Sequence, residues 1–412
     1  MFSRLVFGLG LLSATALVHP ALAAEARTLQ IFVSKNSQSL ALYDGAEIIA
    51  TSKVSTGKPG HTTPSGIFSV IEKKKYHESN LYSAAPMPFM QRLTWSGIAL
   101  HESNSVPRYP ASHGCVRLPA AFAKLLYKMT GMGVPVVITD AEVTPGPIEH
   151  PTLFRPDTPE PPPLLSDMTL RPAIGQGPVQ VAMNDLSMPR TPIPRQLTTP
   201  ANDEPIRILI TRRTERETVI DLQAHLNELG FSAGDPDGLL GPATVQAISD
   251  FKTQHPLEPT ADKSLLSDSL VRAVYTAAGK GEPANGVIRI RQGFNPVLEA
   301  PITIANPGLA LGTHFFMVHD VDFESGAADW MGVTIPNTLS RQAMNRLGIS
   351  SLESSIISGT PLANALSRIA IPDDTRRKID AMLTSGSTLT ISDTGLGTET
   401  GKGTDFITVT RG

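Results

Sequence analysis

The chain has 412 residues, a formal net charge of -3, 41% hydrophobic residues and a single cysteine. That length holds two or three domains with cores of their own, and the near-neutral balance excludes the broadly basic surface that nucleic acid requires. One cysteine cannot close an internal disulfide, so the fold must be held by packing.

In chain order, Met1 to Ala23 places Arg4 before an apolar run from Leu5 to Val18 and ends on Ala21-Leu22-Ala23. This reads as a cleaved secretory signal peptide over residues 1–23. The other reading, a membrane anchor, fits less well, because the run is shorter than the ~20 residues a spanning helix needs. The expectation is export to the periplasm or cell envelope.

Residues 24–140 read as strands and turns. Leu29 to Val33 and Ser39 to Tyr43 alternate apolar with polar, and Asp44-Gly45 reads as a hairpin turn. Glu47 to Val54, Gly66 to Ile71 and Trp95 to Leu100 continue as strands, the last delivering His101. Pro119 opens a helix with Phe122, Leu125, Leu126 and Met129 at helical spacing, and Val134 to Thr139 returns as a buried strand. His61 and His77 read as solvated histidines, and Lys73-Lys74-Lys75 as a solvated strand end.

The chemistry concentrates in Ser112-His113-Gly114-Cys115-Val116-Arg117. A thiol reacts as its thiolate and needs an imidazolium, N-H donors or a helix N-terminus to form one. As a nucleophile, Cys115 would take an imidazole as base, with the amides of His113, Gly114 and Cys115 itself as oxyanion donors. The following helix would favour the thiolate through its positive end. Against this stands the inert buried cysteine. His101, His113 and Cys115 do not make a closed zinc set, so no metal is expected.

Gly97-Ile98-Ala99-Leu100-His101, followed by Tyr109-Pro110-Ala111-Ser112-His113-Gly114-Cys115-Val116-Arg117, resembles the active-site signature of L,D-transpeptidases of the YkuD type. Ser55-Thr56-Gly57-Lys58 and Thr63-Pro64-Ser65-Gly66-Ile67-Phe68 resemble that family's upstream segments. The resemblance implies a β-sandwich-like catalytic domain that needs no cofactor. It implies that Cys115 attacks the carbonyl before the terminal D-alanine of a peptidoglycan stem tetrapeptide, with His101 as general base and His113 and Gly114 in the catalytic turn. An amine of a second stem peptide would resolve the acyl-enzyme as a 3-3 crosslink. Arg117, Ser112 and Arg92 are the expected substrate-binding residues, and Arg108 is a further candidate. Partners implied are peptidoglycan stem peptides and glycan, an outer-membrane protein as acceptor, and carbapenem-type inhibitors.

Residues 141–205 lose apolar periodicity, and Glu160-Pro161-Pro162-Pro163 marks an extended linker. Residues 206–280 resume helical patterning. Leu222-Gln223, Leu229-Gly230-Phe231, Asp237-Gly238, Gly241, Thr244 and Phe251 resemble the peptidoglycan-binding type 1 module, a small three-helix bundle. Asp235 and Asp237 read as turn formers. Residues 281–412 read as a C-terminal α+β domain of unknown role. Its stretch from Pro296 to Ile304, followed by Leu311-Gly312-Thr313-His314-Phe315-Phe316, echoes the opening of the catalytic domain and suggests a degenerate copy without a cysteine. His314 and His319 read as structural. The fold expectation is therefore a multidomain α+β chain. Two functional classes stay open: a cysteine L,D-transpeptidase, which could also hydrolyse such links, and a non-catalytic peptidoglycan-binding scaffold.

Overall fold

The computed structural model describes residues 27–79, 84–158, 204–257, 264–352, 359–401 and 403–410. The expected signal segment and most of the expected linker lie outside the described residues. The first half begins with Leu29–Ser34 (β1), Ser39–Asp44 (β2), Glu47–Lys53 (β3) and Ser65–Ser69 (β4), followed by Glu72–Lys74 (β5), Met90–Arg92 (β6), Ala99–Glu102 (β7) and Val116–Leu118 (β8). Helix Ala120–Met129 (α1), strand Pro135–Thr139 (β9) and strand Gly146–Ile148 (β10) follow. After residues outside the description come Arg207–Arg212 (β11) and helices Glu215–Glu228 (α2), Pro242–Gln254 (α3) and Asp268–Ala277 (α4). The last part comprises Gly286–Gln292 (β12), Asn295–Ile304 (β13), Thr313–Asp322 (β14), Ala327–Thr334 (β15), Arg341–Arg346 (α5), Pro361–Ser367 (α6), Ile369–Ala370 (β16), Asp373–Asp380 (α7), Thr388–Ser392 (β17) and Thr408–Thr410 (β18).

Three sheets result. A six-stranded sheet runs β18-β4-β9-β1-β2-β3, a four-stranded sheet runs β5-β6-β7-β8, and an eight-stranded sheet runs β10-β15-β14-β17-β11-β12-β13-β16. In β1 all six residues are buried, because it pairs antiparallel with β2 and parallel with β9 and is covered on both faces. Ile31 and Val33 point into a core shared with Leu100, Val116, Leu118 and Leu126, so the small sheet and α1 close one face. Phe32, with Tyr43 and Val137, packs on the other face against Phe315, Met317 and Val333 of the eight-stranded sheet. The alternating strand read at Leu29 to Val33 is thus a central strand, since a second sheet covers its other face. The Trp95 to Leu100 expectation also shortens: Trp95 to Gly97 is a turn, and β7 begins only at Ala99.

The domain boundaries need correction at three places. β10 falls inside the expected linker, yet it pairs with β15, and Leu153 and Phe154 join the core of the eight-stranded sheet. β11 falls inside the expected helical module, yet it is a middle strand of that sheet between β17 and β12. β18 falls inside residues 281–412, read as the C-terminal domain, yet it pairs with β4 of the first half. In each case the segment is too short for its own periodicity to show which sheet it joins.

The helices are therefore an insertion between β11 and β12. The Arg213 N-H donates to the Asn285 carbonyl at 3.0 Å, so the two ends of the insertion lie side by side. A capping box between Thr214 and Glu217 starts α2, and Gly241 followed by Pro242 starts α3. Buried Gln223 ties the turn between them, donating to Asp237 Oδ1, the Leu239 carbonyl and Thr244 Oγ1 while accepting from the Gly238 N-H. Asp237 is accordingly a turn former.

The strand order β14-β17-β11-β12-β13 repeats the order β4-β9-β1-β2-β3, with the same parallel pairing at β11 and β17 as at β1 and β9. His314 faces Ile391 where Gly66 faces Ile138, and, two residues on, Phe316 and Phe68 fill the two cores.

Candidate active site

The site lies where β7 and β8 meet. These strands are parallel, with Leu100 beside Val116 and His101 beside Arg117. Cys115 therefore sits at the mouth of β8, opposite the turn that leads into β7. His77, Arg92, Gly97, His101, Cys115 and Arg117 line one cleft, with Ser112 and His113 on the same wall. Among the described residues no group of three or more His, Cys, Asp or Glu could hold a metal ion.

The Cys115 thiol donates to the Gly97 carbonyl at 3.2 Å. Burial raises its pKa above the ordinary thiol value, outweighing the Ala99 N-H and the charges of Arg92 and Arg117, which favour the thiolate. His101 is buried too, and its pKa falls to about 4, because burial and then the Arg117 charge outweigh its bond to Glu102. Its Nδ1-H donates to the Glu102 carbonyl at 2.7 Å, which fixes the ring and leaves Nε2 as the basic nitrogen. At neutral pH the resting pair is thus a neutral thiol and a neutral imidazole. Helix α1 does not help: Val116 to Leu118 extends as a strand, so the helix starts five residues beyond the thiol at Ala120. The expected thiolate stabilisation by that helix N-terminus is corrected accordingly.

The turn that carries the thiol is built from the two upstream motifs. Gly114 has φ +117, and a Cβ there would stand 3.0 Å from Ile98 Cδ1, so only glycine fits without strain. Thr63 is buried between the motifs: its Oγ1 donates to the Gly114 carbonyl at 2.7 Å and accepts from the Gly57 N-H at 2.8 Å. A Cβ on Gly57 would fall 1.9 Å from the His61 carbonyl oxygen. Ser55 pairs antiparallel with Arg117, and Lys58 donates to the Ser112 carbonyl, zipping residues 55–58 along the nucleophile segment. Gln38 in turn holds Thr56 through both side-chain and backbone bonds.

The expected substrate residues fare differently. Ser112 is buried and committed to the turn, donating to the Cys115 carbonyl at 2.5 Å and accepting from the Gly114 N-H at 3.1 Å. It is removed from the substrate-binding set, and while that bond holds, the Gly114 amide does not serve an oxyanion. Arg92 lies in the cleft, held by Glu72 at 2.6 Å and by His77 Nε2 at 3.2 Å. Arg117 shares the cleft, whereas Arg108 is exposed and outside it. His113 is exposed and meets His61 edge to face, their centroids 4.8 Å apart.

Sequence reasoning missed Thr63, Glu72, Glu102 and His77. His77 was read as a solvated histidine, but β5 and β6 bring it into the cleft through Arg92. Lys73 was read as part of a solvated run, but its ammonium caps α1 through the carbonyls of Tyr127 (2.7 Å) and Thr130. Thr63 alone carried a signal, since it opens the second upstream motif.

Residues 29–138 match the family model of the L,D-transpeptidase catalytic domain, YkuD, and residues 215–262 match that of the peptidoglycan binding domain, PG_binding_1. No curated protein matches the chain. Among solved structures, an L,D-transpeptidase from Stackebrandtia nassauensis is 27% identical, with 28% of this chain and 56% of that one covered and a TM-score of 0.26. One from Xylanimonas cellulosilytica is 26% identical, with 28% and 62% covered and a TM-score of 0.26. An L,D-transpeptidase solved in complex with imipenem is 24% identical, with 27% and 59% covered and the same TM-score. This chain thus spans less than two thirds of the length of each.

Proposed function

We propose that the chain is a cysteine L,D-transpeptidase acting on peptidoglycan stem tetrapeptides in the cell envelope, exported by residues 1–23. The observation that carries the reading is the placement of a fixed, neutral His101 and the Cys115 thiol in one cleft, within the segment that matches the catalytic-domain model. As the substrate carbonyl approaches, His101 Nε2 takes the thiol proton while sulfur attacks the carbonyl carbon before D-alanine. A base held near pKa 4 does not deprotonate the thiol beforehand, so proton transfer and attack run together. The Cys115 amide takes the oxyanion. The C-N bond breaks, His101 returns the proton to the departing D-alanine amine, and a thioester remains.

An amine from a second stem peptide then attacks the thioester, His101 takes its proton, and the C-S bond breaks to restore the thiol and leave a 3-3 crosslink. An amine of an outer-membrane protein in that role would anchor the protein instead, and water would give hydrolysis. Arg92 and Arg117 hold substrate carboxylates. The inserted helices bind the wall. The eight-stranded half is a degenerate copy of the catalytic fold, a reading supported by the repeated strand order and the equivalent positions of Gly66 and His314.

The test is intact-protein mass spectrometry of the wild type and Cys115→Ala with a carbapenem, and separately with purified disaccharide-tetrapeptide. A single carbapenem adduct that needs Cys115, with D-alanine release and crosslinked dimer from the muropeptide, is the expected outcome. A folded protein that sediments with peptidoglycan yet gives neither adduct nor D-alanine would be a wall-binding scaffold.

A further inference from the structure

The segment after β17 reaches the catalytic half, and Glu399 within it bonds to the turn that faces the nucleophile. β18 pairs with the β4 edge, and Gly66 is the residue that allows it: a Cβ there would lie 2.2 Å from the Thr408 carbonyl oxygen. Ile407, 2% exposed, belongs to the core of the catalytic half rather than to that of its own neighbours. Arg207 pins the same region, bonding to the carbonyls of Gly133 and Gly386 and lying 3.5 Å from Asp405. From this anchored strand the tail runs back past Trp95, whose Cζ2 lies 3.9 Å from the Cβ position of Gly403. Glu399 Oε2 then accepts the Ser96 N-H at 3.2 Å.

The turn that Glu399 grips is the one that faces the thiol. It is closed by the Gly97 N-H on the Thr94 carbonyl and the Ile98 N-H on Thr94 Oγ1. Its Gly97 carbonyl accepts the Cys115 S-H, and the Ala99 N-H that follows it favours the thiolate. Among the described residues, Ser96 is the point at which the tail bonds to this turn through a side chain.

We infer that Glu399 is a positioning residue for the nucleophile: by holding the Ser96 amide it fixes the turn of residues 94–98, and with it the backbone groups that govern the Cys115 sulfur. The inference rests on Cys115 as the nucleophile of the proposed reaction. The eight-stranded half, which has no cysteine, would thus contribute to the site through Glu399.

The experiment compares Glu399→Gln with Glu399→Ala in the full chain. Both remove the same charge, but only glutamine keeps an oxygen that accepts the Ser96 N-H, so the difference between them reads the hydrogen bond. The readout is the rate of Cys115 alkylation by iodoacetamide across pH, with thermal unfolding recorded alongside. The charged and titratable groups around the sulfur are Arg92, Arg117, His77, His101 and His113, and neither substitution touches them. Loss of that one hydrogen bond to the Ser96 N-H should slow alkylation of the alanine variant about fivefold relative to the glutamine variant and move its profile to higher pH. The two should unfold at the same temperature, since the bond is exposed. Superimposable alkylation profiles for the two variants would overturn the inference. Alkylation does not need the transferase reaction, so a protein that no carbapenem acylates would refute the proposed function and still decide this point.

Discussion

At the scale of single residues, burial decides the chemistry more than sequence neighbours do. His101 carries a folded pKa of about 4 against an ordinary 6.5, so between those values the unfolded chain binds a proton that the folded chain refuses. The stability linked to this group is complete above pH 6.5 and is lost as pH falls toward 4, a change of about 3 kcal/mol. Urea unfolding from pH 7 to pH 4 should therefore show a steep acid limb, and His101→Gln should flatten it; equal limbs would refute the assignment. Buried His314 is shifted in the same direction by its own burial and will keep part of the slope in that variant. Thr63 gives a second residue-scale expectation. Thr63→Val strands the Gly57 N-H and the Gly114 carbonyl in a buried place and should cost about 1 to 3 kcal/mol, while Thr63→Ser keeps the hydroxyl and should cost much less. Urea midpoints of the two variants check this, and similar losses in both would show that the methyl group, not the hydroxyl, matters.

At the scale of elements, strands of three and four residues carry the site. β8 is only Val116 to Leu118, and its central Arg117 joins the cleft while its flanking residues fill the core. That alternation is what a strand allows and a helix start would not. It is why the nucleophile turn looked, from sequence, like a loop running straight into a helix. β18 is as short, yet it extends the catalytic sheet and delivers Ile407 to its core. Ile407→Ala should therefore destabilise the catalytic half by about 2 to 5 kcal/mol, as large-to-small core changes do. Hydrogen exchange would show where the loss falls. Protection should drop at β4 and β9 first, and a loss confined to the eight-stranded sheet would contradict the assignment of Ile407 to the catalytic core.

At the scale of the whole molecule, the chain is interleaved rather than strung in sequence. The first half borrows its last strand from the C-terminus, and the eight-stranded sheet borrows β10 from just after the catalytic segment. Phe32 and Tyr43 meet Phe315 and Met317 between the two large sheets, which makes their relative placement a matter of packing. The helical insertion is the exception. It has its own core from Leu222, Leu226, Phe251 and Val274, and its ends meet at Arg213 and Asn285. Replacing residues 216–282 by a short Gly-Ser bridge should leave the sheets folded and carbapenem acylation unchanged while abolishing sedimentation with peptidoglycan. Retained sedimentation would move wall binding to another part of the chain. Arg213 and Arg289, which bond to Asp221 and Glu217, would lose those partners at the cut, while Arg289 keeps Glu299.

What the sequence determined by itself is local. The cysteine turn, the glycines at 57 and 114, the paired upstream motifs, the three helices and the strand over 296–304 were legible because each depends on backbone conformation or periodicity within a few residues. The tertiary structure decided what needs partners far along the chain: that β1 is covered on both faces, that Ser112 serves the turn, that His77 enters the cleft, that β10, β11 and β18 join sheets other than those their position suggests, and that Glu399 reaches Ser96 across 303 positions. A strand of three residues and a single carboxylate have no periodicity to read, and their roles are set by which surface the folded chain brings to them.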